Sequence, residues 1–220
     1  MANLTKPRLV IGNKNYSSWS LRPWLLLKHA RIPFDEVRVP LFTAKGEALL
    51  SELSPTGQVP VLYVQGLVLW DSLAICETIS DLHPDRQLWP ADTKARAHAR
   101  AISSEMHSGF DALREHLPMN CRRTVTDFEP PVSAMKDIIR IQTILTDALE
   151  LHSKKGPWLY GKYSIGDAMY APVVSRFNTY GIRCGRVLGD YCKRVLADPH
   201  MTAWYSDAEH ETDIIQRSEI

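Results

Sequence analysis

The sequence predicts a small α/β unit of order β-α-β-α-β-β-α followed by an all-helical unit. Three observations carry that prediction. Short β-branched or alternating runs recur up to Leu82, a stretch with two prolines (His83-Pro84 through Trp89-Pro90) interrupts the pattern, and from Asp92 onward the spacing is helical throughout. The divisions that follow are residues 1–83, a linker over 84–91, and residues 92–220.

Arg8 to Gly12 (RLVIG) is a β-branched run closed by glycine, as expected of a buried first strand. The stretch Asn15-Tyr16-Ser17-Ser18-Trp19-Ser20-Leu21-Arg22-Pro23 then leads into an amphipathic segment ending at Ala30. Proline fits only the first few helical positions, whose N–H groups have no intrahelical partner, so Pro23 places the N-cap at Ser20 or one or two residues earlier. Ser17 and Ser18 then lie just ahead of a positive helix end, where hydroxyls and free amides can hold an anion. Plain capping by these serines is the competing reading.

Phe34 to Val39 alternates as a second strand, and its βαβ spacing implies a parallel pair with the first. Thr43 to Leu53 reads as an irregular helix. The turn-rich segment Ser54-Pro55-Thr56-Gly57-Gln58-Val59-Pro60 feeds a strand, with Pro60 at a position suited to a cis bond. Val61–Val64 and Leu67–Trp70, joined at Gln65-Gly66, form a hairpin, and Asp71-Ser72 opens an apolar helix running to about Leu82. The helical unit should hold helices over 92–116, 130–153, 165–180, 187–196 and 199–209. In the first of these, Ser103, His107, Phe110 and Arg114 fall on one stripe that mixes polar and aromatic groups, which marks His107 and Phe110 as candidate pocket residues against a core or surface histidine. Ser164 and Asp167 have capping-box spacing and are assigned to folding.

Composition excludes several classes of function. The net charge is +1 with Lys and Arg dispersed, so no nucleic-acid footprint or membrane-surface patch is present. No apolar run is long enough to span a bilayer, and Met1 to Arg8 lacks the apolar core of a signal peptide, so the cytoplasm is the expected compartment. Cys76, Cys121, Cys184 and Cys192 have neither CxxC nor metal-ligand spacing and are expected as free thiols; the eight histidines show no HExxH-like spacing, so no metal is expected.

The ordered combination of motifs resembles the cytosolic glutathione transferase family over nearly the whole chain. Ser17-Ser18-Trp19-Ser20-Leu21-Arg22 is similar to the serine-type turn of the zeta and theta classes, Ser54 to Leu62 to the loop ending in a cis-proline, Asp71-Ser72 to the acidic-Ser pair, and Ser164-Ile165-Gly166-Asp167 to the capping box of the sixth helix. The resemblance, bacterial-type in character, implies a thioredoxin-like first domain and an electrophile pocket in the helical one. It also implies glutathione as co-substrate, no metal, a homodimer, and conjugation of small hydrophobic electrophiles or glutathione-dependent cis-trans isomerisation. A non-catalytic ligand-binding protein on the same fold is the reading from a different class.

On this resemblance Ser17 or Ser18 donates to the thiolate. Alignment on Arg22 puts Ser17 at the zeta-like position and Ser18 at the theta-like one. Val59 pairs with the peptide, with Pro60 turning its backbone outward, and Asp71 and Ser72 take the γ-glutamyl end. Gln58 and Lys45 serve the remaining polar groups, Lys45 being read in competition as a surface lysine. Ser104-Glu105-Met106-His107 is similar to a beta-class segment with a functional histidine, and His107, Phe110 and Trp19 would line the acceptor pocket. The zeta pattern has a cysteine where Trp19 stands, which weighs against the isomerase activity of that class. Arg176 is read as a structural ion pair in preference to a cleft residue.

Overall fold

The computed structural model describes residues 6–152 and 156–219. Four strands, β1 (Arg8–Ile11), β2 (Asp35–Arg38), β3 (Val61–Val64) and β4 (Leu67–Trp70), form a mixed sheet of order β2-β1-β3-β4. β1 runs parallel to β2 and antiparallel to β3, and β3 and β4 are the expected hairpin, with Leu62 opposite Leu69. The helices of this part are α1 (Ser18–His29), α2 (Ala44–Leu53) and α3 (Ser72–Leu82). The order is that of a thioredoxin-like unit.

The rest is helical: α4 (Thr93–Ser108), α5 (Asp111–His116), α6 (Val132–His152), α7 (Ile165–Thr179), α8 (Arg186–Leu196) and α9 (Pro199–Glu209). Met1 to Thr5, and residue 153 of the helix expected over 130–153, lie outside the described residues. α7 is buried along nearly its whole length and packs on both α1 and α4, so it links the two parts. One core cluster runs from Leu9 and Leu25 through Ile102 and Ile141 to Tyr170 and Trp204.

Two expected boundaries are corrected. The helix expected over 92–116 breaks after Ser108, where Gly109 is extended and Phe110 takes φ 64° ahead of α5. Glycine ends the first helix, and Asp137 on α6 accepts the Leu113 amide at 2.9 Å to start the second. The first helix of the chain begins at Ser18 with Ser17 as its N-cap, earlier than Pro23 suggests. The Tyr16 and Ser17 amides both donate to the Asn13 carbonyl (3.1 and 2.8 Å), so the chain is already wound before Ser20. Pro23 then sits one turn inside and removes a single i to i−4 bond. Ser20 is a buried acceptor, taking hydrogen bonds from the Gly12 amide at 3.1 Å and the Ser17 hydroxyl at 2.7 Å.

Candidate active site

A cleft of about 900 Å³ opens where the start of α1, the turn before β3, the start of α3 and α4 converge. Ser17, Ser18 and Trp19 line it together with Gln58, Val59, Pro60, Asp71, Ser72 and His107. The fold therefore brings together residues spread over ninety positions of sequence, and the Val59–Pro60 bond is cis. Two expected members are elsewhere. Lys45 is exposed outside the cleft, with Glu47 facing in instead. Phe110 packs in the core, because the break after Ser108 rotates it off the stripe it would share with His107 on a continuous helix.

The two serines differ in what their hydroxyls do. Ser17 donates its proton to Ser20 Oγ at 2.7 Å. Ser18, buried on the first helical turn, accepts from Arg176 Nη2 at 3.1 Å, a bond that does not use its own O–H. The same device recurs at the other end of the cleft, where Ser72 Oγ accepts from Arg22 Nη1 at 3.2 Å. Each hydroxyl oxygen is thus backed by a buried guanidinium, which leaves its O–H able to donate to a ligand.

Arg22, Arg114 and Arg176 form a cluster of positive charge beneath the site. Burial, with the neighbouring guanidiniums adding to it, pushes Arg22 and Arg176 down to about 9, which leaves both charged at neutral pH. Arg114 is lowered by burial as well. Trp19 touches two of them, its ring 4.3 Å from Arg22 Cζ and 4.7 Å from Arg114 Cζ. Contact with the ring quadrupole offsets part of the cost of burying these cations. Arg176 has no carboxylate partner among the described residues; its other contact is the Leu117 carbonyl. The expected structural ion pair is therefore replaced by a contact to a cleft serine. Sequence reasoning used Arg22 only as an alignment marker, and no local signal shows that a residue on α7 reaches α1.

Asp71 is engaged on both oxygens. Oδ1 caps α3 through the Leu73 and Ala74 amides at 2.9 and 3.0 Å, while Oδ2 meets His107 Nε2 at 3.0 Å. His107 also touches Trp19 edge-on at 5.3 Å. Among the described residues no group of His, Cys, Asp or Glu is arranged to hold a metal.

Residues 16–82 match the family described as the N-terminal domain of glutathione S-transferase. A probable maleylacetoacetate isomerase of Caenorhabditis elegans is 32% identical over 162 residues, covering 74% of this chain and 72% of that protein. The chain belongs to the cytosolic glutathione transferase family. Maleylacetoacetate isomerase of Rattus norvegicus is 30% identical over 80% of this chain and 81% of its own length. Among solved structures, a glutathione transferase homolog from Burkholderia gl BGR1 with bound glutathione superposes with a TM-score of 0.70 at 22% identity, covering 93% of this chain and 99% of that one. The last likeness is one of glutathione transferase fold.

Proposed function

We propose that this glutathione transferase family member ionises glutathione at Ser18 and adds the thiolate to an activated double bond of a small acceptor. The observation that carries the reading is the Ser18 hydroxyl, which lines the cleft and accepts from buried Arg176, leaving its O–H available to donate. A free thiol of pKa ~8.5 needs a drop of about 2 units to be mostly ionised at neutral pH, or ~2.7 kcal/mol. A helix N-terminus supplies ~0.3–1 kcal/mol and a hydroxyl donating to the charged sulfur ~1.5–3 kcal/mol, so the two together suffice. Arg176 makes the hydroxyl a stronger donor, and Ser18 acts as donor and not as base.

The peptide of glutathione would pair with Val59 beside Pro60, its γ-glutamyl carboxylate taking the Ser72 proton and its ammonium sharing Asp71 Oδ2 with or in place of His107. Gln58 serves the same end, and Trp19 and His107 border the acceptor. Thiolate addition to a cis-enone leaves a single bond about which the adduct rotates; expulsion of the thiolate then returns glutathione and the trans isomer. The relatives named as maleylacetoacetate isomerases, matched over more than two thirds of their length, favour this outcome. Stable conjugation of a hydrophobic electrophile is the second reading, favoured by Trp19 in the turn and by the apolar walls Leu50, Trp70 and Ile215.

A single experiment separates them. The protein is incubated with glutathione and a cis-enone diacid, and in parallel with a chromogenic electrophile, while glutathione and the alkene geometry are followed by NMR. Trans product with glutathione unconsumed supports the isomerase; stoichiometric loss of glutathione supports conjugation; neither product refutes the enzymatic reading in favour of ligand binding. A cytoplasmic homodimer belongs to the same proposal, and light scattering tests the dimer.

A further inference from the structure

The cleft contains a cation whose charge no described residue neutralises. Residues 211–219 run back along the cleft mouth as a strap. Glu211 pins its start, accepting the Lys14 and Asn15 amides at 2.8 and 3.1 Å. Asp213 accepts from Asn13 Nδ2 at 2.9 Å and pairs with Arg38 at 2.7 Å. Glu219 pins the far end, accepting from Asn120 Nδ2 at 3.0 Å and from the Tyr16 hydroxyl. Between these pins Ile215 is buried, and Ile215, Arg217 and Ser218 face the cleft.

Arg217 lies over the ring of Phe42, its Cζ 3.9 Å from the centroid. It has no ion pair among the described residues, although Glu47 lines the same cleft. Stacking on a ring fixes the plane of a guanidinium while leaving its N–H edge available, the arrangement suited to bidentate capture of a carboxylate.

Position supplies the rest. With the γ-glutamyl end on Asp71 and Ser72 and the sulfur at Ser18, an extended tripeptide along Val59 carries its other end toward Tyr16, Leu41 and Phe42. That end bears the glycyl carboxylate, and Lys45, the cation suggested by sequence, is outside the cleft. We propose that Arg217 binds the glycyl carboxylate of glutathione, which makes the strap a wall of the co-substrate site and a determinant of tripeptide over dipeptide thiols. The assignment rests on the glutathione reading above.

The test is calorimetric titration of glutathione and of γ-glutamylcysteine, which lacks the glycine, into the wild-type chain and into Arg217→Ala and Arg217→Lys. The strap's pins do not involve Arg217, so the variants retain its anchorage. Loss of the glycine should weaken binding to the wild type about tenfold, equivalent to about 1.4 kcal/mol. Arg217→Ala should weaken glutathione by a similar factor and leave γ-glutamylcysteine unchanged, with Arg217→Lys recovering part of the loss. Equal loss for both ligands, or no loss for either, overturns the assignment while leaving the glutathione reading intact. Failure of the wild type to bind either thiol overturns both.

Discussion

At the residue scale, Ser17 and Ser18 differ in where each proton is spent. Ser18→Ala removes the hydroxyl that faces the cleft and is expected to raise the pKa of bound glutathione by about 1–2 units, the equivalent of a hydrogen bond to a charged acceptor. Ser17→Ala, whose hydroxyl is committed to Ser20, should move it by less than half as much. Thiolate absorbance against pH measures both; equal shifts would refute the distinction. Arg176→Met should raise the same pKa, since it leaves Ser18 without its buried donor. The motif Ser17-Ser18 and its neighbourhood to a helix start were legible in the sequence, because proline and hydroxyl residues act over a few positions. Their different roles were not. The discriminating contact spans 158 positions, from α1 to α7.

At the element scale, α7 is held by Asp167. Its Oδ2 accepts the Ser164 amide at 2.9 Å, as the capping-box spacing implies, while Oδ1 also accepts from the Leu159 amide at 3.0 Å and the Tyr191 hydroxyl at 3.1 Å. Asp167→Ala is therefore expected to lower the melting temperature without changing glutathione affinity in the folded fraction, as a thermal scan and a titration would show. Burial pushes this carboxyl up to about 6 from 3.8, against the hydrogen bonds that lower it. Between those pH values the folded chain keeps a proton that the unfolded chain has released. The resulting stability is present in full below 3.8 and lost as pH rises through about 6. Relative to Asp167→Asn, the wild type should gain up to about 3 kcal/mol between neutral pH and about pH 4, measured by urea unfolding. The break between α4 and α5 is the converse case. Helical spacing continues through Gly109, and only the Asp137 carboxylate on α6, which starts α5, with Phe110 turned into the core, makes two helices of one pattern.

At the scale of the whole molecule, one core passes through both the α/β part and the helical part. Lys14 illustrates the coupling: its Nζ lies 5.0 and 5.4 Å from the rings of Trp24 and Trp204 and pairs with Glu36 at 2.8 Å and Asp207 at 2.6 Å, and the Trp204 indole donates to the Lys14 carbonyl at 2.8 Å. Unfolding by denaturant is therefore expected as one transition, with tryptophan fluorescence and far-ultraviolet circular dichroism coincident; two separated transitions would contradict this. The sequence by itself determined the order of strands and helices apart from the α4–α5 break, the hairpin and the capping box, while the resemblance to a known family supplied most of the residues that meet in the cleft. The elements, the hairpin and the capping box follow from periodicity, a turn or a cap, interactions that reach only a few positions along the chain. Tertiary structure alone decided that Arg22 and Arg176 back the cleft serines, that Phe110 and Lys45 stay out of the cleft, and that Arg217 enters it. Those outcomes depend on which helix faces pack together and where residues 211–219 cross the mouth, and no local pattern encodes a contact between segments so far apart.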